Sequence, residues 1–365
     1  MATEAQAAVA PSAYSFSMLD LGVYDEDLTY TFMCQNKRFI LSMSVKDLEG
    51  EGGLVGQFYD FKDNLDDPDV LSDFETWVVD AINDNINALV PTPSQYWKPT
   101  SLQDYYGAET FVFEMANVGG SLMGLPRPYD PAVYGNPSSR FVISDVTPEP
   151  SEDRNSLYHE RSKQNIILRT DLPLLPLFEA SQIVRDAGPD SIEEEMCEAP
   201  RTVRRLGTDQ KYFFKAASEL HGFRRELNVL TKIRNIANKD PSVRTTKIVG
   251  LVKYDGEDVI LGILMELIDG PTLHEEMYGD ASIIDKQKWI SQVEDTVQRL
   301  HAHGIVWGDV KPDNVIINPD GNAVVVDFGG GYTTQYIEPE WQETKRGDMQ
   351  GLKKMRARVL SVDNQ

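Results

Sequence analysis

Residues 300–329 read LHAHGIVWGDVKPDNVIINPDGNAVVVDFG, and this stretch decides how the second half of the chain is interpreted. Apolar residues at helical spacing, ending at Leu300, predict a helix before it. Two short apolar segments on either side of residues 319–322 predict a tight β-hairpin. Four polar side chains lie on the predicted loops beside these elements: Asp309, Lys311, Asn314 and Asp327.

These four residue types are the ones that phosphoryl transfer requires. A carboxylate such as Asp309 can orient an attacking hydroxyl and accept its proton, and a cation such as Lys311 can neutralise charge on the γ-phosphate. Two oxygen ligands, here Asn314 and Asp327, can hold magnesium against the phosphate oxygens. The stretch therefore predicts a nucleotide-dependent phosphotransferase.

The same residues resemble the protein-kinase-like superfamily. The family's catalytic loop reads HRDxKPxN and is followed by DFG, and this chain has WGDVKPDN at 307–314 and DFG at 327–329. The resemblance implies ATP and Mg²⁺ as cofactors. It also implies four site residues: the catalytic base Asp309, the phosphate-contacting Lys311, and the metal ligands Asn314 and Asp327.

Two upstream motifs extend the resemblance. The segment YFFKA at 212–216 matches the position of the family's VAIK, which implies that Lys215 contacts the α- and β-phosphates. A helix predicted over 218–236 carries Glu226 beside its apolar stripe, and this residue resembles the helix glutamate that pairs with the strand lysine. Glu219 is the alternative partner.

The segment ILGILMELIDG at 260–270 resembles the strand and hinge that receive adenine. The resemblance makes Met265 the gatekeeper and assigns the main chain of Glu266 and Leu267 to the base. An ordinary core strand ending in a turn is the alternative. Further on, Asp348 resembles the aspartate that opens the next large helix and braces the catalytic loop.

The chain departs from the family pattern in four places. Residues 189–206 contain no glycine, so the loop over the phosphates must be built differently. Trp307 and Gly308 replace the family's histidine and arginine; we expect Trp307 to fill core volume and no control by activation-loop phosphorylation. Residues 330–338 are short for a peptide-docking platform, and only 17 residues follow Asp348, which predicts a truncated C-lobe. Compact kinase-like proteins of fungi, and more distantly minimal atypical kinases, have a similar form.

The first half of the chain carries no motif that we can assign to chemistry. Alternation over residues 28–45 predicts a β-hairpin, and a helix is expected from Asp67, its N-cap, until Pro91 stops it. Strand-like segments follow at 110–115 and 140–145. Together they predict a small α+β domain.

We therefore expect an α+β chain with a domain of unknown role at 1–146 and a linker, polar and proline-containing, at 147–165. A two-lobed protein-kinase-like fold is expected at 166–365. Its N-lobe is expected over about 166–268 and its truncated C-lobe over about 269–365.

The composition of the chain limits the classes of partner that we expect. The 365 residues include 35 Lys and Arg against 58 Asp and Glu, a formal net charge of −23, which repels polyanions. We therefore expect no nucleic acid and no membrane among the partners. Two cysteines give no disulfide framework, and the sequence contains no apolar run of about 18 residues. Residues 1–15 lack a basic start followed by a long apolar core, so we expect no secretory signal. These features predict an intracellular protein, cytoplasmic or nuclear.

Three functional interpretations stay open. The leading one is an ATP- and magnesium-dependent kinase that phosphorylates a hydroxyl, with protein Ser/Thr as the expected acceptor. A nucleotide-binding pseudokinase or scaffold is an alternative, because the loop over the phosphates and the C-lobe depart from the family. A small-molecule kinase is another, favoured by the short docking platform.

Overall fold

We describe a computed structural model of the chain. It describes residues 16–90, 101–134, 141–145, 166–169, 172, 174–186, 201–217, 220–237 and 239–361. The chain divides into two compact units, residues 1–136 with 184–200 and residues 137–183 with 201–365.

A five-stranded sheet forms the centre of the first unit. Its strands are β1 (Phe16–Val23), β2 (Asp27–Cys34), β3 (Lys37–Ser44), β4 (Glu109–Val118) and β5 (Ser121–Arg127). They lie in this order, with β3 and β4 parallel and the other neighbours antiparallel. Phe32 and Phe39 face the core and stack with their ring centres 5.2 Å apart. The hairpin predicted over residues 28–45 is confirmed as β2 and β3.

Short helices accompany this sheet. The described ones are α1 (Val45–Leu48), α2 (Leu54–Lys62), α3 (Pro68–Asp80), α4 (Asn83–Leu89), α5 (Leu102–Tyr106) and α6 (Pro131–Tyr134). Asp67 caps α3 as predicted, but the prediction of one continuous helix up to Pro91 is wrong. The helix breaks at Ala81 and Ile82, because Ile82 is fully buried and the Ala81 carbonyl accepts a 3.4 Å hydrogen bond from the Gly124 amide of β5.

A second sheet organises the other unit. Its strands are β6 (Phe141–Ser144), β7 (Ile166–Leu168), β8 (Leu177–Glu179), β10 (Thr202–Arg205), β11 (Lys211–Ala216), β12 (Ile248–Lys253) and β13 (Val259–Glu266). The central strands run β10-β11-β13-β12, all antiparallel to their neighbours. β6 extends the sheet from β13, β7 lies parallel to β6, and β8 lies parallel to β12. A short strand, β9 (Ile183–Arg185), lies where the chain passes from one unit to the other.

The placement of β6 differs from our expectation. We assigned residues 140–145 to the first domain, but β6 pairs with β13 at Val259 and Ile260 and so belongs to the second unit. Arg169, just after β7, strengthens this attachment, since it forms ion pairs with Asp145 (2.8 Å) and Asp258 (3.0 Å).

Helices and a small hairpin complete the second unit. They are α7 (Leu220–Ala237), α8 (Leu273–Tyr278), α9 (Ile283–Ala302), the hairpin β14 (Val315–Ile317) with β15 (Ala323–Val325), and α10 (Lys345–Ser361). Apolar residues of α7 and α9 enter one continuous core with those of the sheet and hairpin. The α+β class is confirmed. Among the described residues, no helix combines the length and apolarity that a membrane crossing needs.

Candidate active site

Lys215 is placed by the central strand of the second sheet. β11 pairs with β10 on one side and β13 on the other, so its main chain is fixed by both neighbours. Nζ of Lys215 lies 3.0 Å from Oε2 of Glu226 and 2.8 Å from Oδ1 of Asp327. Glu226 projects from α7 and is only 3% exposed. The predicted pair between Lys215 and Glu226 is therefore present, whereas Glu219, the alternative, lies outside the described residues.

Burial and ion pairing compete within this trio. Burial raises the pKa of Glu226, and the charge of Lys215 offsets this only in part. Burial also disfavours the charged form of Asp327, but the charge and hydrogen bond of Lys215 and the Gly329 amide outweigh it and lower the pKa of this carboxyl. Burial opposes the charged lysine too, yet the two carboxylates raise the pKa of Lys215 overall. Lys215 and Asp327 therefore remain charged at neutral pH.

The loop between α9 and β14 brings three predicted residues together. Nζ of Lys311 lies 2.6 Å from Oδ2 of Asp309. Pro312 begins a short 3-10 turn, and Nδ2 of Asn314 donates to both the main-chain oxygen and Oδ2 of Asp309, at 3.0 and 3.1 Å. Thr333, which we did not identify from sequence, donates its hydroxyl to Oδ1 of Asp309 at 2.9 Å. The Asp309 carboxylate is thus oriented by three side chains.

A buried aspartate holds the main chain of this loop. Asp348, near the start of α10, is fully buried and accepts 2.8 Å hydrogen bonds from the amides of Trp307 and Gly308. Nε2 of His301 lies 2.7 Å from the same carboxylate. The predicted bracing role of Asp348 is confirmed.

The indole of Trp307 supports the position of Asp327. Trp307 is fully buried, as predicted, and its Nε1 donates to the main-chain oxygens of Val326 (3.0 Å) and Asp327 (3.1 Å). Asp327 has a φ of +58°, in the left-handed region that Asp tolerates better than most residues. The indole therefore holds the turn that points the carboxylate towards Lys215.

Arg225 is a second residue that we did not predict. It precedes Glu226 on α7, and its guanidinium donates to three main-chain oxygens, those of Val306, Trp307 and Phe328. Its Nε lies 3.3 Å from Oε1 of Glu343. The sequence signal that could have revealed it is Gly308, because a glycine in place of the family's arginine leaves room for a guanidinium from another element.

The predicted hinge lies at the end of β13. Met265 is 4% exposed within that strand. The amide of Glu266 donates to the Lys247 carbonyl (2.9 Å), and its carbonyl accepts from the Thr246 hydroxyl (3.3 Å), so its main chain already takes part in hydrogen bonds of the protein. Leu267 follows directly after the strand. Adenine contacts by these residues stay a prediction.

The two predicted metal ligands suit magnesium. Asn314 donates through its amide nitrogen to Asp309, which leaves its side-chain oxygen to act as a ligand. The Asp327 side chain is 40% exposed. Magnesium commonly takes one or two protein oxygens and completes its shell with phosphate and water. An open pair therefore fits it, and no group of three or more His, Cys, Asp or Glu among the described residues could enclose a metal.

The covering loop falls largely outside the described residues. Of the glycine-free segment 189–206, only residues from 201 onwards are described. They form β10 and the start of the turn into β11, where Gly207 has a φ of +78°. How the phosphates are covered therefore stays a prediction.

Comparison with known families agrees with this geometry. The family model for the protein kinase domain matches residues 206–346, a range that contains every predicted site residue. Residues 206–346 belong to the protein-kinase-like superfamily. Asp348, which holds the main chain before Asp309, lies two residues beyond this match.

Similar proteins match parts of the kinase domain. The serine/threonine-protein kinase PrkC of Bacillus subtilis is 30% identical over 102 residues, 27% of this chain and 16% of PrkC. PknA of Mycobacterium tuberculosis is 31% identical over 117 residues, 27% of each chain. The 3-phosphoinositide-dependent protein kinase 1 of Caenorhabditis elegans is 26% identical over 122 residues, 33% of this chain and 18% of that protein. The matches thus span 16% to 27% of these relatives' own lengths.

Proposed function

We propose that the second unit is an ATP- and magnesium-dependent kinase that transfers the γ-phosphate to a hydroxyl group, with protein Ser/Thr as the expected acceptor. The observation that carries this proposal is the position of Lys215 between two carboxylates that belong to different segments of the chain. Its Nζ lies 3.0 Å from Oε2 of Glu226 and 2.8 Å from Oδ1 of Asp327. A lysine held between a helix carboxylate and a metal-binding carboxylate is suited to receive nucleotide phosphates beside a magnesium ion. The relatives named above are called serine/threonine kinases in two of three cases, which supports the expected acceptor.

Asp309 is the base in this proposal. Its Oδ2 accepts from Lys311 and Asn314, and its Oδ1 accepts from Thr333. A carboxylate offers about four acceptor sites, so one more hydroxyl can hydrogen-bond to it. The incoming hydroxyl is oriented there and gives up its proton to the carboxylate as its oxygen bonds to the γ-phosphorus. The bond from that phosphorus to the bridging oxygen of the β-phosphate breaks, and ADP leaves with the electron pair. Lys311, 2.6 Å from Oδ2 of Asp309, is placed to neutralise charge on the transferred group.

Asn314 and Asp327 would hold magnesium. A magnesium ion held there would supply positive charge that offsets the charge of the nucleotide phosphates. Lys215 has three donors, of which contacts to Glu226 and Asp327 use two, and the third is suited to a phosphate oxygen. Lys215 also keeps Asp327 ionised, which a magnesium ligand requires.

The test is transfer of radiolabelled phosphate from ATP in magnesium buffer. Acceptors are degenerate peptides with a central Ser/Thr, the same peptides with Ala or Tyr, and a panel of small alcohols. We expect label in the Ser/Thr peptides, lost at least about a hundredfold with Asp309→Asn. Asp320→Asn, the same change in the exposed turn before β15, is the matched control and should keep full activity.

Other outcomes separate the alternatives. Label only in the alcohols would replace the protein-kinase proposal with a small-molecule kinase. A pseudokinase or scaffold would be favoured if the protein binds nucleotide but transfers phosphate to no acceptor. In that case wild type and Asp309→Asn should also bind nucleotide equally well.

A further inference from the structure

The Arg225 side chain of α7 contacts two other segments of the chain. Its side chain is only 13% exposed. Nη2 lies 3.2 Å from each of the Val306 and Trp307 carbonyls, and Nη1 donates to the Phe328 carbonyl. The first two oxygens precede Asp309 along the chain, and the third immediately follows Asp327. One guanidinium thus joins α7 to both catalytic segments.

Two glycines make room for this side chain. A Cβ on Gly308 would lie 2.7 Å from Nη2 of Arg225, and a Cβ on Gly330 would lie 3.0 Å from its Cδ. Both glycines also have positive φ values, +97° and +94°. Any larger residue at Gly308 would therefore both strain the main chain and displace the guanidinium.

A carboxylate of the chain itself completes the arrangement. Oε1 of Glu343, two residues before α10, lies 3.3 Å from Nε of Arg225. Glu343 is about one third exposed, so this ion pair is partly screened and serves mainly to orient the guanidinium. The planar fork of an arginine can donate to Glu343 and to three carbonyls at once, whereas a lysine offers one nitrogen.

We propose that Arg225 is a positioning residue that fixes α7, the main chain before Asp309 and the turn after Asp327 in one catalytic arrangement, with Glu343 as its anion. Because Arg225 and Glu226 are adjacent on α7, the hydrogen bonds of Arg225 also fix the position of Glu226 relative to Lys215. The anion belongs to the chain, so the arrangement forms without an added phosphate. This inference rests on the proposed kinase function for its kinetic readout.

The test compares full-length wild type with Arg225→Ala, Arg225→Lys and Glu343→Gln. The matched control is Arg224→Ala, an exposed arginine on the same helix. We expect Arg225→Ala to lower kcat about a hundredfold, as loss of alignment does, while KM for ATP changes less than about threefold. The kcat of Arg225→Lys should lie between those of Arg225→Ala and wild type. Glu343→Gln should lower kcat less than Arg225→Ala does, and Arg224→Ala should have the kcat of wild type. A kcat for Arg225→Ala within about threefold of wild type would overturn the proposal.

Two further readouts separate positioning from general destabilisation. Gly308→Ala should lower kcat by a much smaller factor in the Arg225→Ala background than in wild type, because the guanidinium that it would displace is already gone. The same factor in both backgrounds would count against the proposal. Hydrogen exchange of residues 305–310 and 327–331 should accelerate in Arg225→Ala but not in Arg224→Ala. If wild type shows no turnover, the kinase function fails, and hydrogen exchange alone decides the Arg225 inference: unchanged protection would overturn it.

Discussion

Replacing Asp348 with asparagine should destabilise the second unit by about 3 kcal/mol. In the wild-type protein the amides of Trp307 and Gly308 each donate to a different oxygen of this fully buried carboxylate, both at 2.8 Å. Asparagine keeps the shape but supplies one oxygen and one NH₂ group, so one buried amide faces a donor. A hydrogen bond to a charged acceptor is worth about 1.5–3 kcal/mol, and the remaining bond weakens because its acceptor becomes neutral.

Urea unfolding of full-length Asp348→Asn measures this loss. Because the chain divides into two compact units, the unfolding transition of the second unit is followed by a signal of its own. Hydrogen exchange of peptides covering residues 300–310 identifies it, and these amides should exchange faster in the variant. Asp320→Asn, in an exposed turn, should leave both measurements unchanged. A loss below about 1 kcal/mol, or a larger loss without faster exchange at 300–310, would refute the bracing role that we assign to Asp348.

Three further predictions concern the site. Lys215→Met should destabilise the second unit by about 2 kcal/mol at pH 8 and clearly less at pH 5.5. Without the lysine the pKa of buried Glu226 rises further, so the folded state binds a proton that the unfolded chain releases, and the free energy of unfolding increases as pH falls; equal losses at both pH values in urea unfolding would contradict this. Trp307→Phe should cost about 2 kcal/mol in the same assay, because the Val326 and Asp327 carbonyls lose their indole donor, and a change under about 0.5 kcal/mol would argue against that support. Thr333→Val should lower kcat about tenfold through loss of one hydrogen bond to Asp309, the proposed base, whereas Thr333→Ser keeps the hydroxyl and should stay within about twofold. Equal rates for the two variants would exclude a role for the hydroxyl.

Much of the candidate site could be predicted because its residues sit at fixed offsets from apolar elements. Asp309 and Asn314 share one short loop between a helix and a hairpin, so local pattern alone places them near each other. Lys215 and Glu226 are eleven residues apart on a strand and the following helix, and the resemblance to the kinase family, rather than their spacing, implied that they pair. Hydrophobic periodicity predicts such local helices and strands well.

The residues we missed act across long separations in the chain. Arg225 reaches Phe328, 103 positions away, and Thr333 reaches Asp309, 24 positions away. In the sequence each looks like an ordinary polar residue on a helix or loop, since nothing local marks its partner. Gly308 was the one indirect sign, because its missing side chain opens the space that the guanidinium fills.

Contacts between distant parts of the chain also explain the errors in our prediction of the fold. β6 reads locally as a strand after the first domain, and only its pairing with Val259 and Ile260 assigns it to the second unit. The helix break at Ala81 and Ile82 has no glycine or proline to announce it. It follows from the burial of Ile82 and the contact with Gly124, which lies more than forty residues later.

We expect nucleotide binding and phosphate transfer to occur at one magnesium–ATP site, and one paired measurement on the same preparations tests this expectation. Calorimetric binding of Mg-ATP and steady-state ADP production are compared for wild type, Asp309→Asn and Asp327→Asn. Asp309→Asn should bind Mg-ATP within about threefold of wild type while turnover falls about a hundredfold or more, since Asp309 is proposed to contact the acceptor rather than the nucleotide. Asp327→Asn should lose turnover and the magnesium dependence of binding together. Wild-type turnover in Asp309→Asn, or magnesium-dependent binding that survives in Asp327→Asn, would contradict the account.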